Sequence, residues 1–355
     1  MKKILNKTKI ADFATYIGVV IAFIVMNALM NEGLLTRSMK GQLVPICCYI
    51  VMAVSLNLTV GILGELSLGH AGFMSVGAFT GVVTAMSLQS AIPSDGVRLA
   101  LAIVMGAIFA GIAGTLVGIP VLRLHGDYLA IVTLAFGEII KELINCLIIG
   151  HDENGLHIIF NATGAKTVTD LGLTETGKVL IKGAQGATGT DTIASFTAGF
   201  ILIMVTLVVV LNLARSRSGR AIMALRDNRI AAESVGINVT KYKLMAFVTS
   251  AALAGGAGAL YGLNFSNLVS SKFDFNTSIL VLVFVVLGGL GNMWGSIIAA
   301  AVLTVLPEAL RGFADYRMLI YGLVLIVVML AWCSPQMKAR LSALVPFGKE
   351  GEKEH

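Results

Sequence analysis

Charge is what this sequence of 355 residues has least of: Asp, Glu, Lys and Arg together make up 13% of it, well below the roughly one-quarter of soluble domains. With 56% hydrophobic residues and a mean hydropathy of +0.87, that scarcity excludes an ordinary soluble domain and leaves a polytopic membrane protein. Proline is scarce too, six residues against 39 glycines. That balance suits transmembrane helices, in which glycine lets backbones approach closely. Acids within the apolar runs are few, which disfavours an ion-coupled secondary transporter using, for example, Glu65 or Glu138. Neither an HExxH pair nor a nucleophile–base pair appears, so an enzyme is disfavoured as well. No small-x-small cleavage site closely follows the first apolar core, and the amino terminus reads as a retained anchor. Cys47, Cys48, Cys146 and Cys333 all fall in apolar runs and read as small buried residues.

What is present is a succession of apolar runs near the ~20 residues that a bilayer requires. They cover Tyr16 to Met30, Leu43 to Val60, Ala71 to Leu88, Leu99 to Leu122, Tyr128 to Ile149, Thr192 to Leu213, Leu244 to Leu263, Thr277 to Leu287, Ser296 to Leu306 and Met318 to Cys333. The expected fold is therefore all-α: a polytopic membrane helical bundle of about ten transmembrane helices with glycine-broken segments. A barrel would show short alternating segments instead. The transmembrane domain is expected over residues 1–334, with an extracytoplasmic loop at 150–191 and a cytoplasmic tail at 335–355.

Basic residues set the orientation, because they are retained on the cytoplasmic side. With the amino terminus inside, the inner segments carry 16 Lys and Arg and the outer segments nine. Both termini and the segment 214–243 are then cytoplasmic, and the net charge of +6 reflects membrane orientation, with no nucleic-acid partner implied.

Arg215 to Lys243, RSRSGRAIMALRDNRIAAESVGINVTKYK, holds seven of the 26 basic residues. Ser218 as N-cap and Gly236 as the residue after the end frame a helix of about 17 residues. Met223, Ala224, Ile230, Ala231 and Val235 form its apolar side, and Arg229 and Glu233 stand at i,i+4. Such a helix could lie on anionic membrane lipid. Its alanine-rich face inserts weakly into lipid and fits a protein groove better.

Two glycine-rich breaks interrupt the spans. Gly61 to Gly81 reads GILGELSLGHAGFMSVGAFTG and Gly288 to Gly295 reads GGLGNMWG. Broken helices are tolerated in membranes only where protein or a polar cavity satisfies the freed backbone, so paired breaks point to a translocation path. Ser67 and His70 are candidates to line it. Helix packing is the competing explanation, given the pairs Gly77/Gly81, Gly114/Gly118 and Gly258/Gly262. Glu138, Lys141 and Glu142 share one helix face, as an internal ion pair or a solute contact.

The loop 150–191 is far longer than usual connections and is either a docking platform or a tolerated insertion. Its His151, Asp152, Glu153 and His157 lack a further ligand cluster, so no metal is expected. Gly172 to Lys178, GLTETGK, imitates a phosphate-binding loop, but Val179 stands where the magnesium-coordinating Ser or Thr belongs. If ATP drives this protein, the ATPase is another chain.

Three blocks carry a resemblance: GELSLGHAGFMSVGAF, RLHGDYLAIVTLAFGEII from Arg123, and GRAIMALRDNRIAAESVGI from Gly219. In this order they resemble the signature regions of LivM-type permeases of branched-chain amino acid ABC importers, and the similarity runs from about Leu43 to Trp332. The first block matches at Gly64, Ser67, Leu68, Gly69, His70, Ala71 and Phe73. The second matches at Gly126, Asp127, Tyr128, Leu129, Thr133, Phe136, Gly137 and Glu138. The third matches at Arg220, Ala224, Arg226, Asp227, Asn228, Ala231, Ala232 and Gly236, which the resemblance makes the ATPase-coupling segment. Glu65 stands where the family often has Gln, and Arg229 where it often has an acid. The resemblance implies a bacterial cell-membrane permease subunit without catalytic residues or a cofactor. Its implied partners are a LivH-type permease, two ATP-binding subunits and an extracytoplasmic amino-acid-binding protein. The implied cargo is leucine, isoleucine or valine, although similar permeases carry urea, amides or sugars. The implied mechanism is alternating access, with Gly64, Ser67, Gly69, His70 and Phe73 near the path.

Overall fold

The computed structural model describes residues 2–33, 36–89, 91–124, 126–152, 155–161, 171, 177–309, 322 and 326. The expected tenth span (318–333) apart from Gly322 and Ile326, the residues at 172–176 of the phosphate-loop imitation, Glu153, Asn154 and the tail 335–355 lie outside the described residues. Contacts divide the chain into two units, Gly41–Ala300 and a second drawn from Met1–Lys40 with Ala301–His355.

Each of the first nine expected spans has a helix in its place. They are α1 (Lys2–Asn31), α2 (Arg37–Asn57, continued by a π-helical turn Leu58–Leu63), α3 (His70–Ser87), α4 (Asp95–Val121), α5 (Asp127–Asn145), α6 (Phe196–Arg215), α9 (Val239–Gly262), α10 (Phe275–Gly288) and α11 (Met293–Ala309). The short α7 (Arg217–Asp227) and α8 (Arg229–Ser234) join α6 to α9. Among the described residues six spans are long and apolar enough to cross a membrane: Ala14–Asn31, Arg37–Leu63, Asp95–Val121, Phe196–Arg215, Val239–Gly262 and Ser270–Gly288. The glycine-rich α3 and the charge-bearing α5 are not among them. Large apolar side chains point outward along the spans, including Ile108, Ile112, Leu116 and Ile119 of α4 and Ile201, Val205 and Val208 of α6. A water-facing surface would not tolerate stripes of this size, whereas acyl chains cover them without penalty.

The centre of the larger unit is the packing of α9 against α3 and α4. Small residues make it possible. A Cβ on Gly81 would lie 2.6 Å from the Cβ of Ala259, and one on Gly114 2.6 Å from the Cβ of Ala251. With no hydrophobic drive between helices in lipid, such close backbone approach supplies the dispersion contact that holds the bundle.

The all-α bundle holds, and only the end of the fifth apolar run differs. The fifth apolar run does not continue to Ile149: α5 stops at Asn145, Cys146 caps it, and Leu147 begins a strand. The strands β1 (Leu147–Asp152), β2 (Gly155–Phe160), β3 (Lys178–Lys182), β4 (Ala187–Thr188) and β5 (Asn267–Leu268) form one sheet in the order β2-β1-β3-β4-β5. All its pairings are antiparallel, with Ile149 opposite Ile158 and Ile181. An apolar run that is β-branched fits a half-buried strand as readily as a helix, and pairing with β3 decided the matter. The sheet covers the end of the bundle opposite to α7 and α8. There Arg98, buried in the first turn of α4, joins Asp95 at 2.5 Å and Asp191 at 3.3 Å.

A broken helix and the charged segment bonded to it

The first glycine-rich break begins where α2 widens. At the π-turn the amide of Gly64 bonds back to the carbonyl of Thr59, and that of Glu65 does so at 3.1 Å. Gly64 has φ +79°, left-handed backbone that ends the helix and that a side chain would strain. From there the chain runs without helix to Gly69, and α3 starts at His70. This passage is seated on α5: the amide of Leu68 donates to Thr133 Oγ1 at 3.1 Å, and Gly69 lies against the Thr133 carbonyl so closely that no Cβ fits.

His70 is 2% exposed and its Nε2 lies 2.8 Å from Ser55 Oγ, whose residue also accepts at its carbonyl from Ser250 Oγ at 2.5 Å. Phe73 packs edge-on between His70 and Phe247. Ser67 is equally buried, and its Oγ has no hydrogen-bond partner among the described residues. The polar groups singled out in the first block are therefore gathered around one break, inside the bundle.

The second break lies against the first. Asn57, fully buried at the end of α2, donates from Nδ2 to Ser296 Oγ at 2.9 Å and to the Asn292 carbonyl at 3.2 Å, and its Oδ1 accepts from the Gly291 amide at 2.8 Å. A Cβ on Gly61 would strike both Asn57 and the backbone of Gly291. Asn57 was not among the residues singled out from the sequence. An Asn beside a glycine-rich break in a membrane helix was the available signal, since an amide at that depth needs partners.

The segment 214–243 differs from the single helix of about 17 residues expected within it. Ser216, not Ser218, caps α7 by accepting from the Gly219 amide at 3.0 Å. Asn228 then interrupts the helix with φ −155° and ψ 105°, accepting from the Ala231 amide at 3.0 Å to cap α8. Asn is a preferred cap and a poor interior helix residue, so Asp227-Asn228 marked the break. Gly236 follows the end of α8 with φ +84°. The break also undoes the single apolar face. Ile222, Leu225 and Ala232 point into the bundle, whereas Ile230 and Val235 are 80% and 76% exposed, with Ala231 and Gly236 also at the surface. Arg229 and Glu233 form the expected i,i+4 pair at 3.0 Å. Arg220 donates to the Arg215 carbonyl at 3.1 Å, and Ala224 is half-buried.

Arg226 does not point only outward. Its Nη1 donates to the Gly61 carbonyl at 3.0 Å, its stem lies across Gly64, and its Nε and Nη2 reach Asp227 Oδ1 at 3.2 Å. Beside it, Lys243 in α9, 3% exposed, pairs with Glu65. Lys141 pairs with Glu138, whose other oxygen accepts from the Phe275 amide at 3.1 Å and so fastens the start of α10 to α5.

In the loop, His157 Nε2 lies 3.1 Å from the buried Asp152 Oδ1 across the β1–β2 hairpin. No group of three His, Cys, Asp or Glu gathers among the described residues. A cavity of about 440 Å³ between α4, α5 and the sheet is lined only by apolar side chains, among them Leu116, Phe136 and Leu143, and offers a charged solute nothing.

Membrane-length helices around paired glycine breaks, with a charged helical segment bonded to one of them, define a multi-pass membrane protein. Residues 38–329 match the family described as branched-chain amino acid transport system / permease component, and the chain belongs to that family. It is 36% identical over 294 residues to the high-affinity branched-chain amino acid transport system permease protein LivM of Escherichia coli (strain K12), covering 80% of this chain and 66% of that relative. It is 22% identical over 289 residues to the permease protein LivH of the corresponding system in Salmonella typhimurium, covering 79% and 88%. It is 28% identical over 142 residues to the fructose import permease protein FruG of Bifidobacterium longum, covering 38% and 42%. No solved structure was found to match the chain.

Proposed function

We propose that the chain is one membrane subunit of an ATP-binding-cassette importer that carries leucine, isoleucine or valine into the cytoplasm by alternating access. A LivH-type permease stands beside it, two ATP-binding subunits drive it, and an extracytoplasmic amino-acid-binding protein delivers the solute. Both termini and the segment 214–243 face the cytoplasm. The observation that carries this reading is the surface of α7 and α8. Ile230 and Val235 stand exposed beside Ala231 and Gly236, with Asp227, Arg220 and Arg229 around them. That mixture of apolar knobs and charges suits a protein groove better than lipid, because the knobs are too few to insert.

The solute path in this reading runs past Gly64, Ser67, Gly69, His70 and Phe73. Support comes from the buried hydroxyl of Ser67, which has no partner among the described residues at a depth where an unpaired polar group is costly, beside His70, which Ser55 satisfies. No residue of this chain performs chemistry. ATP hydrolysis on the partner subunits shifts the bundle between outward-open and inward-open states.

The test is uptake into proteoliposomes holding the full importer. Labelled leucine should accumulate only with ATP and the binding protein, and unlabelled isoleucine and valine, but not fructose or ribose, should compete. Uptake that persists without ATP and collapses with an ion gradient would instead establish an ion-coupled carrier.

A further inference from the structure

The π-turn is the place where the coupling segment holds the membrane bundle. Three separate elements reach it. α7 reaches it through Arg226, which donates to the Gly61 carbonyl at 3.0 Å and lies across Gly64. α9 reaches it through Lys243, paired with Glu65 immediately after the turn, both side chains largely buried at 4% and 16% exposure. The second glycine break reaches it through Asn57, one turn before Gly61.

The chemistry at Gly61 explains why an arginine is there. Carbonyls in the last turn of a helix have no amide ahead of them, and a helix terminus of this kind carries partial negative charge. Gly61 itself is buried, so its carbonyl depends on a partner from within the protein. A guanidinium from another element satisfies it and makes the two elements move together. Lys243 and Glu65 add a second tie that does not slip, because separating a buried pair leaves each charge without compensation.

From Gly61 the connection continues in both directions along the chain. Toward the amino end, Asn57 holds Gly291, Asn292 and Ser296. Toward the carboxyl end, the passage from Glu65 leads to Leu68, seated on Thr133, and into α3 at His70. A displacement of α7 is thereby transmitted to both breaks at once.

We infer that Arg226 and Lys243 are positioning residues that latch the coupling segment to the π-turn, so that Arg226 transmits movement within this subunit and is not an ATPase-docking contact. The inference rests on the importer reading above and assigns the moving element within it.

The test uses the full importer in proteoliposomes, with three readings on each variant: co-purification of the ATP-binding subunits, ATP hydrolysis, and leucine taken up per ATP hydrolysed. Arg226→Met keeps the stem over Gly64 and removes the donor. It should leave co-purification unchanged while uptake per ATP falls about tenfold, the factor that one hydrogen bond of ordinary strength carries. Lys243→Glu should uncouple hydrolysis from uptake in the same way, and the exchange Glu65→Lys with Lys243→Glu should restore the ratio. Loss of the ATP-binding subunits from Arg226→Met would overturn the inference and make Arg226 a docking contact. An unchanged ratio in Arg226→Met, or no recovery in the exchanged pair, would overturn it too. Failure of the unaltered chain to retain ATP-binding subunits would bring down the importer reading itself, and the latch with it, before any variant is compared.

Discussion

The two glycine-rich breaks begin with similar sequence, Gly61-Ile-Leu-Gly64 and Gly288-Gly-Leu-Gly291, and end in different surroundings. Their last glycines share one backbone conformation, φ +79° at Gly64 and +80° at Gly291. Beyond that the two part. The first follows a π-turn, is closed by side chains from α7 and α9, and leads through a non-helical passage to α3. The second is a tight turn straight into α11, exposed at Leu290, and held to the rest by Asn57. The same short motif thus makes a charged, clamped junction where a helical segment crosses over it, and a plain helix-to-helix turn where none does. Local sequence chose the left-handed glycine; the neighbours chose everything else.

That contrast can be broken in graded ways. Lys243→Met should have the largest effect, because it leaves Glu65 without its partner in a largely buried position. Loss of one member of such a pair costs about 3–5 kcal/mol, and the purified protein should unfold at a clearly lower temperature in detergent. The double variant Glu65→Gln with Lys243→Met should recover most of the loss, since no uncompensated charge remains. Should the single variant unfold like the unaltered protein, the first break is not clamped by charge at all.

Asn57→Ala removes the tie between the breaks and leaves the Gly291 amide without its acceptor. Each lost hydrogen bond contributes about 0.5–1.5 kcal/mol and the exposed Gly291 can turn to solvent, so the fall in unfolding temperature should be smaller than for Lys243→Met. A bulky maleimide should also react faster with a cysteine placed at Leu290. Unchanged reactivity would show that the second turn holds its shape without the first.

The smallest effect sharpens the comparison most. Gly64→Ala and Gly291→Ala carry the same left-handed penalty, of order 1 kcal/mol for a single residue. At Gly291 the nearest atom to an added methyl is the Gly61 carbonyl oxygen at 3.6 Å, an ordinary contact, whereas at Gly64 the methyl would meet Arg226 Cγ at 2.5 Å. Gly64→Ala should therefore be the less stable of the two, and in the Arg226→Ala background the two should become equal. Equal stabilities in the unaltered background would mean that Arg226 does not rest on Gly64.

Much of the molecule was legible in its residues. Scarce charge and long apolar runs dictated a helical membrane bundle, because a bilayer leaves the backbone no partner but itself. The places of nine spans followed from the same rule. The conformation of Gly236 was foreshadowed, since a glycine just past a helix end most readily takes left-handed backbone. The i,i+4 pair of Arg229 and Glu233 needed only helical spacing.

Tertiary structure decided what periodicity cannot express. Leu147–Asp152 became a strand because β3 lay beside it to pair with, although the run is as apolar as the helix before it. The apolar residues of the segment 214–243 were sorted inward or outward by the break at Asn228, which turned Ile230 and Val235 to the surface. Above all, Arg226 is over 160 residues from Gly61 in sequence, and nothing near either residue announces the other. Sequence by itself fixed which segments enter the membrane, since transfer into lipid depends on composition summed over one run. Which charge neutralises which helix end depends on close approach between distant segments, and only the folded bundle brings them together.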